Sequence, residues 1–170
     1  MMKHVLVILL AIGLTFPVNS FSQTLKIGHL NSAKILEIMP EVQKAKDDLK
    51  KIQKDYESQL DVLITEYRTK LENYQSNINT MTAIVKKDKE TEIMQLEDRI
   101  KAFQEEAAKD LDAKEQELMK PILDKLQNVI SEVAKENKYD YVLDTAGGTV
   151  LYSKDSDDLT ALVKKKLGIQ

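Results

Sequence analysis

The sequence predicts an α+β protein in which a small β-sheet body carries a long antiparallel helical hairpin with coiled-coil-like arms. Three observations predict it. Residues 41–138 contain no glycine and a single proline, Pro121. Within that span apolar residues recur at helical spacing almost throughout. Short segments that read as strand lie on either side, so residues 23–40 and 138–170 make the body and residues 41–137 the arm. A chain that gives over half its length to two amphipathic helices, with little else to pack on, is built to span, clamp or enclose something. It is not built to hold a catalytic pocket.

Residues 1–22 read as a secretory signal peptide. Met1-Met2-Lys3-His4 is a short basic start, residues 5–16 are an apolar run, and Pro17, Asn19, Ser20 and Ser22 form a small, polar tail. The apolar run is too short to cross a bilayer comfortably. Cleavage after Ser22 leaves Gln23 as the new N-terminus of an exported, soluble chain. With no cysteine in the sequence there is neither a lipid-anchoring thiol nor a disulfide. The formal charge is −3, and loss of Lys3 with the leader makes it −4. Acidic and basic residues are interspersed, without the sustained basic block of a nucleic-acid binder.

Leu25, Ile27 and His29 alternate with Lys26, Gly28 and Leu30 as a first strand. Asn31 or Ser32 then caps a short helix, and Pro40 restarts it, since proline suits a first turn. The first arm carries Ala45, Leu49, Ile52, Tyr56, Leu60, Leu63, Tyr67, Leu71, Tyr74 and Ile78, separated by steps of three or four residues with fours the more frequent. The mean step of about 3.67 favours a straight or slightly right-handed stripe over a left-handed supercoil. That narrow stripe needs a partner along its whole length. Asn77, Asn79 and Thr80 supply a turn, and Thr82 caps the second arm, whose stripe runs from Ile93 to Val133 with a charged gap at Lys114 and Glu115. Pro121 predicts a kink or break near residues 117–121. Beyond it the stripe widens, as expected of a helix packing on a body. Tyr141-Val142-Leu143-Asp144, the Gly147-Gly148 turn and Val150-Leu151-Tyr152 read as a β-hairpin, which the first strand joins as a third strand. Ser156 or Asp157 caps a last helix that Gly168 ends. So small a body predicts oligomerisation through strand residues Leu25, Ile27, Val142, Leu143, Val150 and Leu151.

No constellation for catalysis, cofactor or metal is present, and the chain is not expected to be an enzyme. After the leader there is one histidine, His29, and no cysteine, so the nitrogen and sulfur ligands of a zinc site are missing. Asp155-Ser156-Asp157-Asp158 lacks the glycine and distal glutamate of a calcium loop and reads as a helix cap. Tyr56, Tyr67 and Tyr74 fit two readings: seam residues of the hairpin, or rings that contact apolar clients transiently. Met81, Ile84, Val85 and Met94, near the arm tip, are further client-contact candidates, because flexible apolar side chains suit varied partners.

The leader, the segment Lys26-Ile27-Gly28-His29-Leu30-Asn31-Ser32-Ala33-Lys34-Ile35-Leu36, the long charged hairpin and Tyr141-Val142-Leu143-Asp144 together resemble the Skp/OmpH family of periplasmic chaperones. The resemblance covers essentially the whole chain after the leader. It implies a homotrimer with three arms around a central cavity, holding unfolded outer-membrane proteins without ATP and touching membrane or lipopolysaccharide only transiently. It brings no catalytic residues. One departure matters: the best-known members are strongly basic and this chain is acidic. Local patches such as Lys50, Lys51 and Lys54 or Lys86, Lys87 and Lys89 remain, whereas apolar contact with a mobile client needs no net charge. The competing reading is a periplasmic coiled-coil tether or adaptor for one folded partner.

Overall fold

The computed structural model describes residues 25–169. The expected signal peptide at 1–22 lies outside the described residues. The elements in order are β1 (Ile27–Leu30), α1 (Ser32–Ile38), α2 (Pro40–Asn77), α3 (Ala83–Glu136), β2 (Tyr141–Asp144), a 3-10 turn (Asp155–Asp157) and α4 (Thr160–Leu167).

α2 and α3 form the arm. With 38 and 54 residues, they extend about 57 and 81 Å at roughly 1.5 Å per residue. Local chemistry sets their ends. The Asn31 side chain accepts from the Lys34 backbone N–H at 3.0 Å to start α1, and Pro40 opens α2 at its first turn. The Thr82 hydroxyl accepts from the Val85 N–H at 3.4 Å to start α3. After α3 the chain turns at Lys138, a non-glycine residue with φ of 56°. That reversal is held by the Tyr139 N–H donating to the Ala134 carbonyl at 2.9 Å, and by the Lys26 ammonium, which lies 4.0 Å from the centre of the Tyr139 ring and donates to the Asn137 carbonyl. Pro121 does not break α3, which runs through it uninterrupted. The proline is on the exposed side of the helix, where water can satisfy the carbonyl that proline leaves unpaired.

β1 and β2 pair in parallel, with Ile27 opposite Tyr141 and Leu30 opposite Asp144. Parallel strands need a long crossover connection, and here the whole arm is that crossover. The expected three-stranded sheet with a hairpin to Val150–Tyr152 is therefore corrected: among the described residues the sheet has two strands, and Val150, Leu151 and Tyr152 lie in none. The turn itself forms, with Gly148 at φ of 68° and its N–H donating to the Thr145 carbonyl. The chain then crosses to the other edge of β1 instead of doubling back along β2. There the His29 ring nitrogen Nε2 meets the Lys154 carbonyl at 2.9 Å, Asp158 bridges His29, and the Leu159 N–H donates to the His29 carbonyl at 2.8 Å. Asp158, not Ser156 or Asp157, binds the first N–H of α4, that of Thr160, at 2.8 Å.

The core sits where body and arm base meet. Leu30, Ile35, Met39, Val42, Ala45, Ile122, Leu126, Val133, Leu159 and Val163 form one buried cluster. Gly28 belongs to it by necessity, because a Cβ there would stand 2.9 Å from Leu159 Cδ1 and 3.0 Å from the Tyr139 ring. Lys125–Glu41 and Lys166 with Glu132 and Glu136 tie the elements at the rim of this cluster.

Candidate functional site

Away from the body the arm is held differently. Beyond Ala45 only Leu63 of α2 and Leu96 of α3 are fully buried, the remaining stripe residues being half-exposed. Polar bonds also cross the seam. The Tyr56 hydroxyl donates to Asp110 Oδ2 at 2.6 Å, Tyr74 bonds Glu90, and Lys70 pairs with Glu92 at 3.3 Å. The bond to Asp110, partial burial and the negative charge together push the Tyr56 phenol above its ordinary pKa, and Glu90 does the same for Tyr74. The Lys89 and Lys70 ammonium groups hold Glu92 below the usual carboxylate range.

Tyr56 also meets Phe103 edge-to-face, with ring centres 6.0 Å apart and planes at 85°. A cleft of about 270 Å³ opens beside them, lined by Tyr56, Phe103, Glu106, Ala107 and Asp110. A second, of about 240 Å³, lies between the arm base and the body. Its walls include Leu36, Leu123, Ile130 and Val142, and Ser32 and Asp144 form its polar end.

The structure thus places two of the three candidate tyrosines, Tyr56 and Tyr74, in hydrogen bonds across the seam, while Tyr67 is half-buried on the same stripe. Of the tip residues, Ile84 is 83% exposed and Met94 58%, Val85 is exposed and Met81 half-buried. None of them lines either cleft. Val62, 67% exposed, escaped the sequence reading, and Leu123, read only as part of the widened stripe beyond Pro121, is exposed on the rim of the second cleft. Each neighbours a buried stripe residue, Leu63 and Ile122, so an apolar side chain one step off the stripe was the available signal.

On the body, Leu25, Ile27, Tyr141 and Leu143 are all exposed, and Val142 is turned toward the second cleft. Val150 is half-buried. Leu151 and Tyr152 are 95% and 82% exposed, the former the most exposed large apolar residue described. Asp144 closes the sheet end, accepting from the Ser32 N–H at 3.1 Å, the Ser32 hydroxyl at 2.5 Å and the Ala146 N–H at 3.0 Å. Partial burial raises its pKa, but these bonds outweigh it and the net shift is downward. His29 is occupied by a structural hydrogen bond. Among the described residues no three His, Asp or Glu side chains are grouped to hold a metal ion, and no helix is long and apolar enough to cross a membrane.

A charged two-helix arm on a small body, with single apolar side chains exposed along its length, defines a binding scaffold. The model of the OmpH-like outer membrane protein family matches residues 26–167, and the chain belongs to this Skp/OmpH family. It is 25% identical over 157 residues to the chaperone protein Skp of Yersinia enterocolitica, covering 92% of this chain and 94% of that one. To the chaperone protein Skp of Vibrio cholerae serotype O1 it is 26% identical over 153 residues, covering 88% and 87%. Its fold is similar to the crystal structure of an OmpH-like protein from Caulobacter crescentus CB15, with a TM-score of 0.74 at 15% identity over 84% of this chain and 83% of that one.

Proposed function

We propose that this chain is an ATP-independent periplasmic holdase that binds unfolded outer-membrane proteins and prevents their aggregation. The observation that carries the reading is the arm: two long helices whose seam mixes half-buried apolar residues with polar bonds, with Ile84, Val85, Met94 and Val62 open to solvent among charged neighbours. Isolated apolar side chains on a polar surface offer many weak contacts, each worth about 1 kcal/mol or less when partly buried. Such contacts hold an unfolded chain without selecting a single folded partner, and several arms acting together add avidity. The two Skp relatives support the chaperone reading, and the leader at 1–22 supports export to the periplasm.

The working form is a homotrimer joined through the bodies, with the arms enclosing a cavity. Its support is the unpartnered body surface. Among the described residues nothing pairs with the outer edge of β2 or with Val150-Leu151-Tyr152, the segment that reads as a strand, and Ile27, Tyr141 and Leu143 are exposed. Apolar contact inside the cavity leads capture, and contact with lipopolysaccharide or membrane is transient.

Native mass spectrometry of the mature protein mixed with a urea-unfolded β-barrel protein tests the reading. The expected species is three copies with one unfolded client. Binding only to the refolded barrel would favour the tether or adaptor, and a monomeric or dimeric chain would overturn the trimer.

A further inference from the structure

The geometry of the cleft beside Tyr56 points to a subsite for a cationic side chain, lysine or arginine, on an unfolded client segment; we infer this on the basis of the client-binding reading above. The cleft exists because Ala107 stands where neighbouring stripe positions carry Phe103 and Leu111. Its walls are the edge-to-face rings of Tyr56 and Phe103 and the Ala107 methyl. Two carboxylates, Glu106 and Asp110, complete its lining. The Tyr56 hydroxyl holds Asp110 by Oδ2, so Oδ1 is left to accept another donor. Lys114, the cation one turn along α3, is paired with Glu117 at 2.7 Å, and Glu106 enters no ion pair among the described residues.

An aromatic and apolar wall beside unpaired carboxylates suits an amphipathic cation. The aliphatic stem covers the rings and the methyl, and the charged head lies near the carboxylates and the electron-rich ring faces. The surroundings act in the same direction, since residues 105–117 hold six carboxylates against two lysines and their summed field attracts positive charge. An acidic or neutral polar side chain gains neither term. The subsite also gives a use to the acidic balance of this chain, which is unsuited to capturing acidic segments.

The test is the affinity of the mature full-length protein for two unstructured peptides with the same apolar residues, one bearing lysine and arginine and the other glutamine at those positions. Fluorescence anisotropy is expected to show the cationic peptide binding on the order of five- to tenfold more tightly. Glu106→Gln should reduce that ratio, and Ala107→Leu, which fills the cleft, should bring it near one. Asp61→Asn, an exposed charge removed elsewhere on the arm, should leave the ratio as it is. Equal binding of the two peptides by the unmodified protein would overturn the subsite while leaving client binding intact. A ratio that survives both Glu106→Gln and Ala107→Leu would also overturn it, as diffuse charge attraction. Failure to bind either peptide would overturn the client-binding reading and the subsite with it.

Discussion

The Asp144 carboxylate accepts three hydrogen bonds that join the end of β2 to the start of α1 and to its own turn. Its pKa in the folded chain lies below its ordinary value, and so does that of Asp158, whose bond to Thr160 and nearby His29 and Lys34 charges outweigh partial burial. A carboxyl depressed in the folded state contributes its stability above its unfolded pKa of about 3.9 and loses it as pH falls through the folded value. Resistance to urea should therefore be flat from neutral pH down to about pH 5 and decline below about pH 4. Asp144→Asn should cost about 1 kcal/mol at neutral pH, the carboxylate being partly open to water, and should flatten the acid decline. Urea midpoints measured across that range check this; an unchanged acid slope in the variant would show that Asp144 is not a source of it. None of these partners was legible in the sequence. Ser32 and Asp144 are 112 residues apart, and only the fold brings them together.

The helices were the most legible elements, because a three- and four-residue apolar rhythm, a threonine cap and the absence of glycine are all local signals. The sheet was not. The Gly147-Gly148 turn is a local hairpin signal and formed as a turn, but the strand that pairs with β2 is β1, on the far side of the whole arm. Parallel pairing across such a distance leaves no mark in the intervening residues. The tyrosines illustrate the same limit: their spacing placed them on the stripe, but the hydroxyl partners Asp110 and Glu90 depend on how α2 and α3 are registered. At Pro121 the expected break does not form, since an exposed proline with a solvent-accessible carbonyl need not interrupt a helix packed on both sides of it. Removing its ring should nonetheless stiffen this part of the arm by restoring one backbone hydrogen bond. Pro121→Ala is expected to hold a narrower range of client sizes, checked with one small and one large unfolded barrel. Unchanged holding of both would remove Pro121 from the account of arm flexibility.

For the molecule as a whole, the division of apolar surface is the informative quantity. One cluster at the body–arm junction is closed to solvent, whereas the arm beyond Ala45 buries little and the body leaves Leu151, Tyr152 and one face of its small sheet open. Such a chain gains from association with other copies through the body, and the spacing of its exposed arm residues favours a client with no fixed shape. Its charge of −3 shifts the expected driving force from long-range attraction toward apolar contact, with charge acting locally, as in the Tyr56 cleft. The central claim is tested most directly by diluting a urea-unfolded outer-membrane β-barrel into buffer containing the mature protein, without ATP, and following light scattering at low and high salt. The account predicts that scattering is suppressed in both buffers. Equal scattering with and without the protein at either salt concentration would contradict it.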